Sequence, residues 1–414
     1  MTKLRKFKNY LRSGSTLLAS LIVVFVLLAV IVYIFINGWS SLDLSLFSNN
    51  YYATNILAEA NKSEEISEAG SFLRPGELNP DIPFSEQYGF AITDEINRAN
   101  HPVQKLVYID PESPLRYMFI ATAGDSQGQK APIESGTNLL FVNALDNSGN
   151  EISLGQRKGD TAAELVAALD ETIAITSYHS QIPGGGIRGA IVATGILIGM
   201  SLLISMPVAL SAAVYLQRIA RDNLFTRVIR SLINLLAGIP SIIFGMMGIT
   251  IIFPIVKALG VDGLSLLLGS LTMSIMLLPI LIRQSEEALA SVPAAYTMAS
   301  LALGATETQT LFKLVLPAAF PGILSAFLLG ISRVIAESAA LIFTIGTAIN
   351  EAPSLTSSGS TLAVLVWNLM GGETPNFRLA SAVSLVILTM VLLLNISVKI
   401  IVSLTRKNKA KKVM

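Results

Sequence analysis

Six apolar stretches, separated by polar segments, dominate the pattern of hydrophobic and polar positions along the chain. They cover residues 16–36, 189–216, 232–256, 264–282, 319–346 and 379–398. Each approaches or exceeds the ~20 helical residues that cross a hydrocarbon layer. None alternates apolar and polar residues as a barrel strand does, and backbone amides in lipid must bond within their own segment. The pattern therefore predicts an all-α polytopic membrane protein with six transmembrane helices.

The charged residues predict how such a bundle is oriented. Although the net charge is only +1, basic residues concentrate at the N-terminus, between the second and third stretches, and in the tail at 406–414. The middle segment carries Arg218, Arg221, Arg227 and Arg230. With six spans these three segments fall on one side of the membrane, which the positive-inside rule makes cytoplasmic. We therefore expect both termini to be cytoplasmic.

The first stretch has a second interpretation, because the basic residues before it resemble the start of a secretory signal. However, the apolar run at 16–36 is longer than a signal core of about 7 to 15 residues, and no small-residue cleavage pattern follows it. A membrane helix is the favoured interpretation. Residues 1–37 are thus predicted to form a cytoplasmic N-terminus and the first transmembrane helix.

A polar segment at 38–186 interrupts the apolar pattern and predicts a soluble α+β domain inserted on the extracytoplasmic side. Between positions 43 and 171 it holds 20 acidic and 8 basic residues. Such an acidic excess repels a free anion, so direct capture of an anion is disfavoured. A passive insertion is the favoured interpretation, and docking of a binding protein or a neighbouring subunit is the alternative.

Local patterns within the inserted segment predict strands and one helix. β-favouring runs lie at 103–109, 117–121, 139–142 and 151–154. The last two flank an Asp-Asn-Ser-Gly-Asn turn sequence and predict a hairpin. Thr161 and Glu164 have the spacing of a capping box, which predicts a helix that continues to Ile173.

The remaining chain divides into a five-helix core at 187–405 and a basic cytoplasmic tail at 406–414. Between the fourth and fifth stretches, residues 286–317 read EEALASVPAAYTMASLALGATETQTLFKLVLP. Pro293 and Gly304 interrupt this helical pattern and predict two short helices joined by a turn. Such an element either anchors at a membrane surface or presents apolar residues to a groove in another protein.

The fifth stretch contains two ionisable residues, Arg333 and Glu337, four positions apart. In a continuous helix this spacing puts both side chains on one face. A central arginine costs at least about 2.5 kcal/mol on insertion scales, so such residues usually face a bundle interior or an aqueous path. A path through which a substrate passes is the favoured interpretation, and a self-neutralising structural pair is the alternative. A guanidinium suits oxyanions because its planar fork donates two parallel hydrogen bonds.

The segment at 283–318 resembles the coupling loop of permeases of ATP-binding-cassette importers. Its Gly304 aligns the opening of the family pattern with Met298, Ala299 and Ser300, and Met298 departs from the acidic residue usual there. The end of the pattern, aliphatic residues followed by Leu and Pro, aligns with 314–317. The resemblance implies the following residues for coupling to an ATPase: Glu287, Ala299, Gly304, Leu314, Leu316 and Pro317.

From about residue 182 to the C-terminus, the chain resembles the PstA-type permease subunit of phosphate importers. The resemblance rests on Arg333 and Glu337 with the Leu-Ile-Phe-Thr run that follows, and on the segments IPGGGIRGAIVATG and LLAGIPSIIFG. Ala336 and Ser338 are mild departures, and the outer insertion is much larger than the short outer loop of ordinary members. The resemblance implies the type I importer permease fold, with Arg333 and Glu337 in the substrate path.

This resemblance also implies the partners. They are a homologous PstC-like permease, a pair of PstB-like ATP-binding subunits, an extracytoplasmic PstS-like phosphate-binding protein, and membrane lipids, with no nucleic acid. The sequence has no GxxxxGK(S/T) loop to hold ATP phosphates and no Cys, so we expect a non-catalytic transport subunit without a cofactor or metal. The expected location is the bacterial cytoplasmic (inner) membrane.

Two other functions stay open at this point. Another oxyanion, such as molybdate or sulfate, offers an arginine the same charge and hydrogen-bonding geometry as phosphate. A membrane sensor with an outer protein-binding domain is the alternative of another class, but the inner segments are too short to hold a signalling domain. An enzyme is the weakest alternative, because the sequence shows no constellation of nucleophile, base and orienting group.

Overall fold

The computed structural model describes residues 3–60, 70–97, 102–122, 126–155, 161–371 and 375–411, and the side chains among them from Arg12 to Val402. The chain separates into two compact units. The first comprises Met1–Asp43 and Ile187–Met414, and the second comprises Leu44–Gly186. Residues 412–414 of the basic tail lie outside the described residues, as do the side chains of the tail before them.

The first unit is helical. With helices numbered in chain order, it contains α1 (Lys3–Gly38), α4 (Arg188–Val214), α5 (Leu224–Ala237), α6 (Ser241–Met247), α7 (Phe253–Ala258), α8 (Leu266–Ala290), α9 (Ala294–Ala302), α10 (Glu307–Thr310), α11 (Leu316–Ala336), α12 (Ala339–Thr344), α13 (Leu362–Gly371) and α14 (Phe377–Lys411). Three π-helical turns, at Tyr215–Ile219, Gly248–Ile252 and Leu311–Val315, extend or join these helices. α2 and α3 belong to the second unit.

Six helical segments among the described residues are long and apolar enough to cross a membrane. They are Arg12–Ser41, Arg188–Ile219, Ser241–Ala258, Leu266–Ala290, Glu307–Ala336 and Phe377–Val402. This confirms the predicted number of spans. The predicted bounds of the third, fourth and fifth spans are wrong, and the fourth span continues to Ala290 and not only to 282.

The third span begins at Ser241, nine residues later than the apolar pattern predicted. The apolar run before it belongs to the separate helix α5, which begins where the Asn223 side chain accepts a hydrogen bond from Thr226 N at 2.9 Å. α5 ends at Ala237 with Gly238 as its C-cap, and Pro240 then precedes α6 in an extended conformation. Proline has no N–H and clashes with a preceding helical turn, so the apolar run is divided at this point.

The bundle is held by close approach of small residues as well as by apolar packing. α4 and α8 exchange hydrogen bonds, from Ser274 Oγ to Ser201 O at 3.1 Å and from Ser201 Oγ to Ser270 O at 3.3 Å. A Cβ added to Gly38, at the end of α1, would lie 2.8 Å from backbone atoms of Ser381 in α14. These contacts bring backbones together at distances that larger residues prevent.

The second unit contains an antiparallel sheet. Its strands are β1 (Thr54–Glu59), β2 (Phe84–Ser85), β3 (Phe90–Ile96), β4 (Pro102–Ile109), β5 (Phe119–Ile120), β6 (Asn138–Leu145), β7 (Glu151–Gly155) and β8 (Ala174–Ile182). Their order across the sheet is β2-β3-β4-β6-β8-β1-β5, with β7 paired to β6. The helices of this unit are α2 (Leu44–Ser48) and α3 (Ala162–Leu169), and α3 contacts β2, β3 and β7.

The local predictions for this unit are largely confirmed. β6 and β7 form the predicted hairpin, with Leu145 opposite Glu151, and Asp146 accepts the Ser148 and Asn150 N–H groups in the turn. These backbone hydrogen bonds lower the pKa of the Asp146 carboxyl. The capping box at Thr161 is present as predicted, but its helix ends at Leu169 and not at Ile173.

Two tyrosines lie in the core of this unit, one with a hydrogen-bonded hydroxyl and one without a partner among the described residues. The Tyr88 hydroxyl lies 2.9 Å from Thr172 Oγ1, and both side chains are buried. The Tyr178 hydroxyl is also buried, but it has no hydrogen-bond partner in the described part of the chain. Burial raises the pKa of Tyr178, since its ionised form would lose solvation.

We expect Tyr88→Phe to destabilise the sheet by about 1 kcal/mol and Tyr178→Phe to be neutral or stabilising. The first substitution removes the hydroxyl that hydrogen-bonds Thr172 O and Oγ1, whereas the second removes a hydroxyl that has no partner among the described residues. Hydrogen exchange of the β8 amides in the whole purified chain measures the free energy of opening. A loss in Tyr178→Phe as large as that in Tyr88→Phe would contradict this account.

Candidate functional site

Arg333 lies in the last turn of α11. The helix ends at Ala336, because Glu337 has extended backbone angles, with φ −77° and ψ 129°. The Arg333 side chain is exposed on the surface of this chain. No hydrogen bond or ion pair within the described residues involves its guanidinium. The N–H donors of this guanidinium therefore remain available at the end of the fifth candidate span.

The prediction that Arg333 and Glu337 share one helical face is wrong, because the helix does not continue through Glu337. After a two-residue break the chain begins α12 at Ala339. Glu337 Oε1 accepts the Ala340 N–H at 3.2 Å, and the residue is only 9 % exposed. The carboxylate thus supplies an acceptor to one of the first N–H groups of α12, which have none within the helix.

Although they do not share a helical face, Arg333 and Glu337 line one cavity. Its volume is about 490 Å³, and the residues around it are Ile280, Leu329, Ser332, Arg333, Ala336 and Glu337. Ile280 comes from α8 and the others from the end of α11 and the break after it. The break thus places a cation and a carboxylate on the wall of the same cavity by a geometry that differs from the predicted one.

Glycines determine where α12 lies, and with it Glu337. A Cβ added to Gly245 in α6 would lie 2.8 Å from Ala340 O and 2.9 Å from Ala340 Cα. At Gly248 an added Cβ would lie 2.6 Å from both Thr272 Oγ1 and Thr344 Cγ2. These two glycines therefore permit close packing of α6 and the turn after it on α8 and α12. Gly245 contacts the backbone of the residue whose N–H binds Glu337.

The two ionisable groups of the cavity have opposite effects on an anion. An unpaired guanidinium attracts an oxyanion through charge and two parallel hydrogen bonds. The Glu337 carboxylate on the same wall repels that anion and so weakens its binding. Among the described residues, no group of three or more His, Asp or Glu side chains is placed to hold a metal ion.

The segment predicted for coupling forms a separate surface. α8 ends at Ala290, α9 follows Pro293, and Gly304 has a positive φ of 84° at the turn into α10. The predicted breaks at Pro293 and Gly304 are confirmed. The second predicted short helix is instead the start of the fifth span, which is helical from Glu307 to Ala336.

The candidate coupling residues lie along this segment, and none of them lines the Arg333 cavity. Glu287, Ala299, Gly304 and Pro317 are exposed, and Leu314 and Leu316 are partly buried. None of the residues of α9 is buried. Apolar side chains are exposed here, namely Tyr296, Met298, Leu301 and Leu303. The chain therefore presents an apolar helical surface, which we call the α9 surface, at 294–303.

Some residues of the site carry no signal of their own in the sequence. Ile280 and Leu329 are apolar residues in apolar stretches, and only the packing of α8 on α11 brings them to the cavity. The helix break has a weak signal, since Glu337 is followed by Ser338, and both are residues that accept hydrogen bonds near helix starts. The capping box of Thr306 and Gln309 also has its usual sequence spacing and was not predicted.

The six candidate spans define a multi-pass helical membrane protein. A family model described as the inner membrane component of binding-protein-dependent transport systems matches residues 205–409, which include the Arg333 cavity and the α9 surface. The probable ABC transporter permease protein YqgI of Bacillus subtilis is 31 % identical over 241 residues, 54 % of this chain and 81 % of that protein. The chain belongs to the family of binding-protein-dependent transport system inner membrane components.

Other relatives match over a smaller part of their length. The probable ABC transporter permease protein YqgH of Bacillus subtilis is 36 % identical over 178 residues, 42 % of this chain and 57 % of that protein. The phosphate transport system permease protein PstA 2 of Mycobacterium tuberculosis is 36 % identical over 168 residues, 40 % of this chain and 54 % of that protein. The chain thus spans little more than half the length of these two curated relatives.

We expect Gly245→Ala to lower the thermal unfolding midpoint of the purified chain by several degrees. The added methyl group meets the Ala340 backbone at 2.8 Å, so α6 and α12 must separate. Gly199→Ala in α4 is the matched control, because no described atom beyond the adjacent part of its own helix lies within 4 Å of its added Cβ. This control should be neutral or stabilising, since alanine favours a helix by up to about 1 kcal/mol. Equal midpoints for both variants would contradict the close packing.

Proposed function

We propose that this chain is the transmembrane permease subunit of an ATP-driven phosphate importer. The observation that carries the proposal is the unpaired Arg333 beside Glu337 in one cavity, at the end of a candidate membrane span. The family to which the chain belongs and the name of the PstA 2 relative support phosphate transport. The chain then forms the translocation path together with a homologous permease and adopts the type I importer permease fold.

Arg333 is proposed to bind the phosphate as it crosses, and Glu337 to keep that binding weak enough for release. An isolated guanidinium in a membrane interior binds an oxyanion strongly because little water competes for it. A carboxylate on the same wall lowers the net positive potential at the cavity. The exposure of Arg333 on this single chain leaves its donors accessible to a substrate between two permeases.

The α9 surface is proposed to contact the ATP-binding subunits. It is an exposed helix with apolar side chains, and such helices commonly insert into a groove of a partner. Within it and beside it lie the proposed coupling residues: Glu287, Ala299, Gly304, Leu314, Leu316 and Pro317. ATP hydrolysis by a PstB-like pair would supply the energy, and a PstS-like binding protein would deliver the phosphate.

The second unit is proposed to lie outside the cytoplasm, as an α+β insertion at 38–186 between the first span and the five-helix core at 187–405. The positive-inside rule supports this placement, since the basic segments before and after it fall on the opposite side. The same rule supports cytoplasmic termini, with the basic tail at 406–414, and the family match supports the bacterial inner membrane as the location. The acidic excess of the insertion argues against a role in gathering free phosphate.

Replacing Arg333 tests the path. In proteoliposomes with the complete importer, Arg333→Gln should reduce phosphate uptake by about 10- to 100-fold, because charge-assisted hydrogen bonds to the anion are lost. Phosphate uptake with Arg333→Lys should lie between that of this variant and the wild type, since lysine retains the charge without the two parallel N–H donors. Arg378→Gln is the matched control, because Arg378 donates to Ser40 Oγ and does not line the cavity. Wild-type uptake by an assembled Arg333→Gln complex would refute the role of Arg333.

The cargo is tested by stimulation of ATP hydrolysis. The wild-type complex should hydrolyse ATP faster with a phosphate-loaded binding protein and should not respond to sulfate- or molybdate-loaded equivalents. Stimulation by one of these other proteins alone would reassign the cargo to that oxyanion. An absence of any associated ATPase would reject transport by this mechanism.

A single charge should disrupt the α9 surface. Leu303 is 89 % exposed, so Leu303→Asp leaves the fold of this chain intact but places a carboxylate in the proposed apolar contact. We expect the ATP-binding subunits to co-purify at least about tenfold less well, the size of a contact that dominates an interface.

Leu259→Asp provides the control for this loss, because Leu259 is 70 % exposed and follows α7, outside the α9 surface. It should retain the ATPase subunits at the wild-type level. Equal retention in Leu303→Asp would show that the ATPase does not dock on this surface.

A further inference from the structure

The four arginines between the second and third apolar stretches, which predict the orientation of the bundle, fall into two structural classes. Arg221 and Arg227 are exposed, and Arg227 pairs with the equally exposed Asp222, both side chains being 70 % accessible. Arg218 and Arg230 are partly buried and reach main-chain carbonyls of other segments. A purely topological signal requires charge on one side of the membrane and needs no such contacts.

Arg218 connects the end of α4 to the end of α8. It lies in the π-helical turn after α4 and donates from Nη2 to Leu289 O at 3.0 Å. Leu289 is fully buried and belongs to the last turn of α8. A guanidinium at this position is favoured because the last carbonyls of a helix lack intrahelical donors and carry partial negative charge.

Arg230 connects three elements from its position in α5. It donates from Nη2 to Leu216 O at 2.8 Å, in the π-helical turn that also carries Arg218. Its Nε lies 3.4 Å from Glu286 Oε1 in α8, and the Glu286 side chain is only 17 % exposed. This ion pair is less screened than the Arg227 pair, because one partner is largely withdrawn from water.

The Arg218/Arg230/Glu286 cluster lies directly before the α9 surface. After Leu289 the chain passes through Val292 and Pro293, and α9 begins at Ala294. Leu289 and Val292 also belong to an apolar cluster with Ala213 of α4 and Val315 and Ala319 at the start of α11. The last turns of α8, from which the chain continues into α9, are thus held by apolar packing and by the two guanidinium groups.

We propose that the Arg218/Arg230/Glu286 cluster fixes α5 and the end of α4 to the last turns of α8, directly before α9, so that these elements move as one body when the α9 surface is displaced. The three residues are then positioning residues, which act through helix ends and do not touch a substrate. The inference rests on the proposed function, because there the ATP-binding subunits displace the α9 surface. The mechanical link itself is a property of this chain.

The absence of cysteine from the sequence permits a direct test. Leu224→Cys in α5 and Tyr296→Cys in α9 introduce two labelling sites at exposed positions. Electron paramagnetic resonance of the spin-labelled full chain in nanodiscs then gives the distribution of distances between α5 and α9. We expect a narrow distribution in the otherwise unchanged chain. Arg230→Gln and Glu286→Gln should each broaden it at least about twofold, since the two helices can then occupy several relative positions.

Arg227→Gln is the matched control, on the same helix and with its own ion pair. It should leave the distribution unchanged, because an exposed pair contributes little to rigidity. A narrow distribution in both Arg230→Gln and Glu286→Gln would overturn the proposal. So would equal broadening in Arg227→Gln, since the effect would then not depend on the cluster.

A second measurement connects the cluster to coupling. In the reconstituted importer, Arg230→Gln should retain the ATPase subunits and their ATP hydrolysis, while phosphate transported per ATP falls about fivefold or more. A substitution that only destabilised the chain would lower hydrolysis and transport together. An unchanged ratio would contradict the proposal. A wild-type complex without phosphate-stimulated hydrolysis would instead contradict the proposed function, and the distance measurement would then decide the mechanical link alone.

Discussion

The requirement that each backbone N–H and C=O find a partner, in a bundle with little water, constrains every break in the helices. Where α11 ends, Glu337 accepts the Ala340 N–H. Where α4 ends, Arg230 donates to the Leu216 carbonyl, and where α8 ends, Arg218 donates to Leu289. These three ionisable side chains thus reach helix ends, because backbone groups without intrahelical partners occur there.

This constraint connects the candidate site to the packing around it. Glu337 reaches the cavity only because the helix is interrupted before it, and the position of α12 after the break depends on its close approach to Gly245. A carboxylate that satisfies a backbone N–H also contributes to the charge of the cavity wall. Structure and proposed chemistry therefore depend on the same side chain, so Glu337 cannot be changed for one purpose without affecting the other.

The sequence predicted most of the architecture and part of the site. Long apolar runs indicated six spans, and all six have counterparts among the described helices. The residues Arg333 and Glu337 were found because ionisable groups are rare in apolar stretches. The predicted geometry of these two residues was wrong. Hydropathy indicates that residues 319–346 are apolar, but it does not indicate that the helix ends at Ala336. The same limit explains the error at 232–240, where α5 and α6 together form one apolar run.

By itself, the sequence determined the class of protein, the candidate residues and the breaks at Pro293 and Gly304, because hydropathy, charge and the conformations of proline and glycine act locally. Only the tertiary structure decided which atoms meet. It placed Ile280 of α8 on the same cavity wall as Arg333. It also brought Arg218 and Arg230 to main-chain carbonyls of other segments, whereas Arg221 and Arg227, of equal charge, remain exposed. The physical reason is that these contacts join residues far apart in the chain, and no local pattern records the packing of one helix against another.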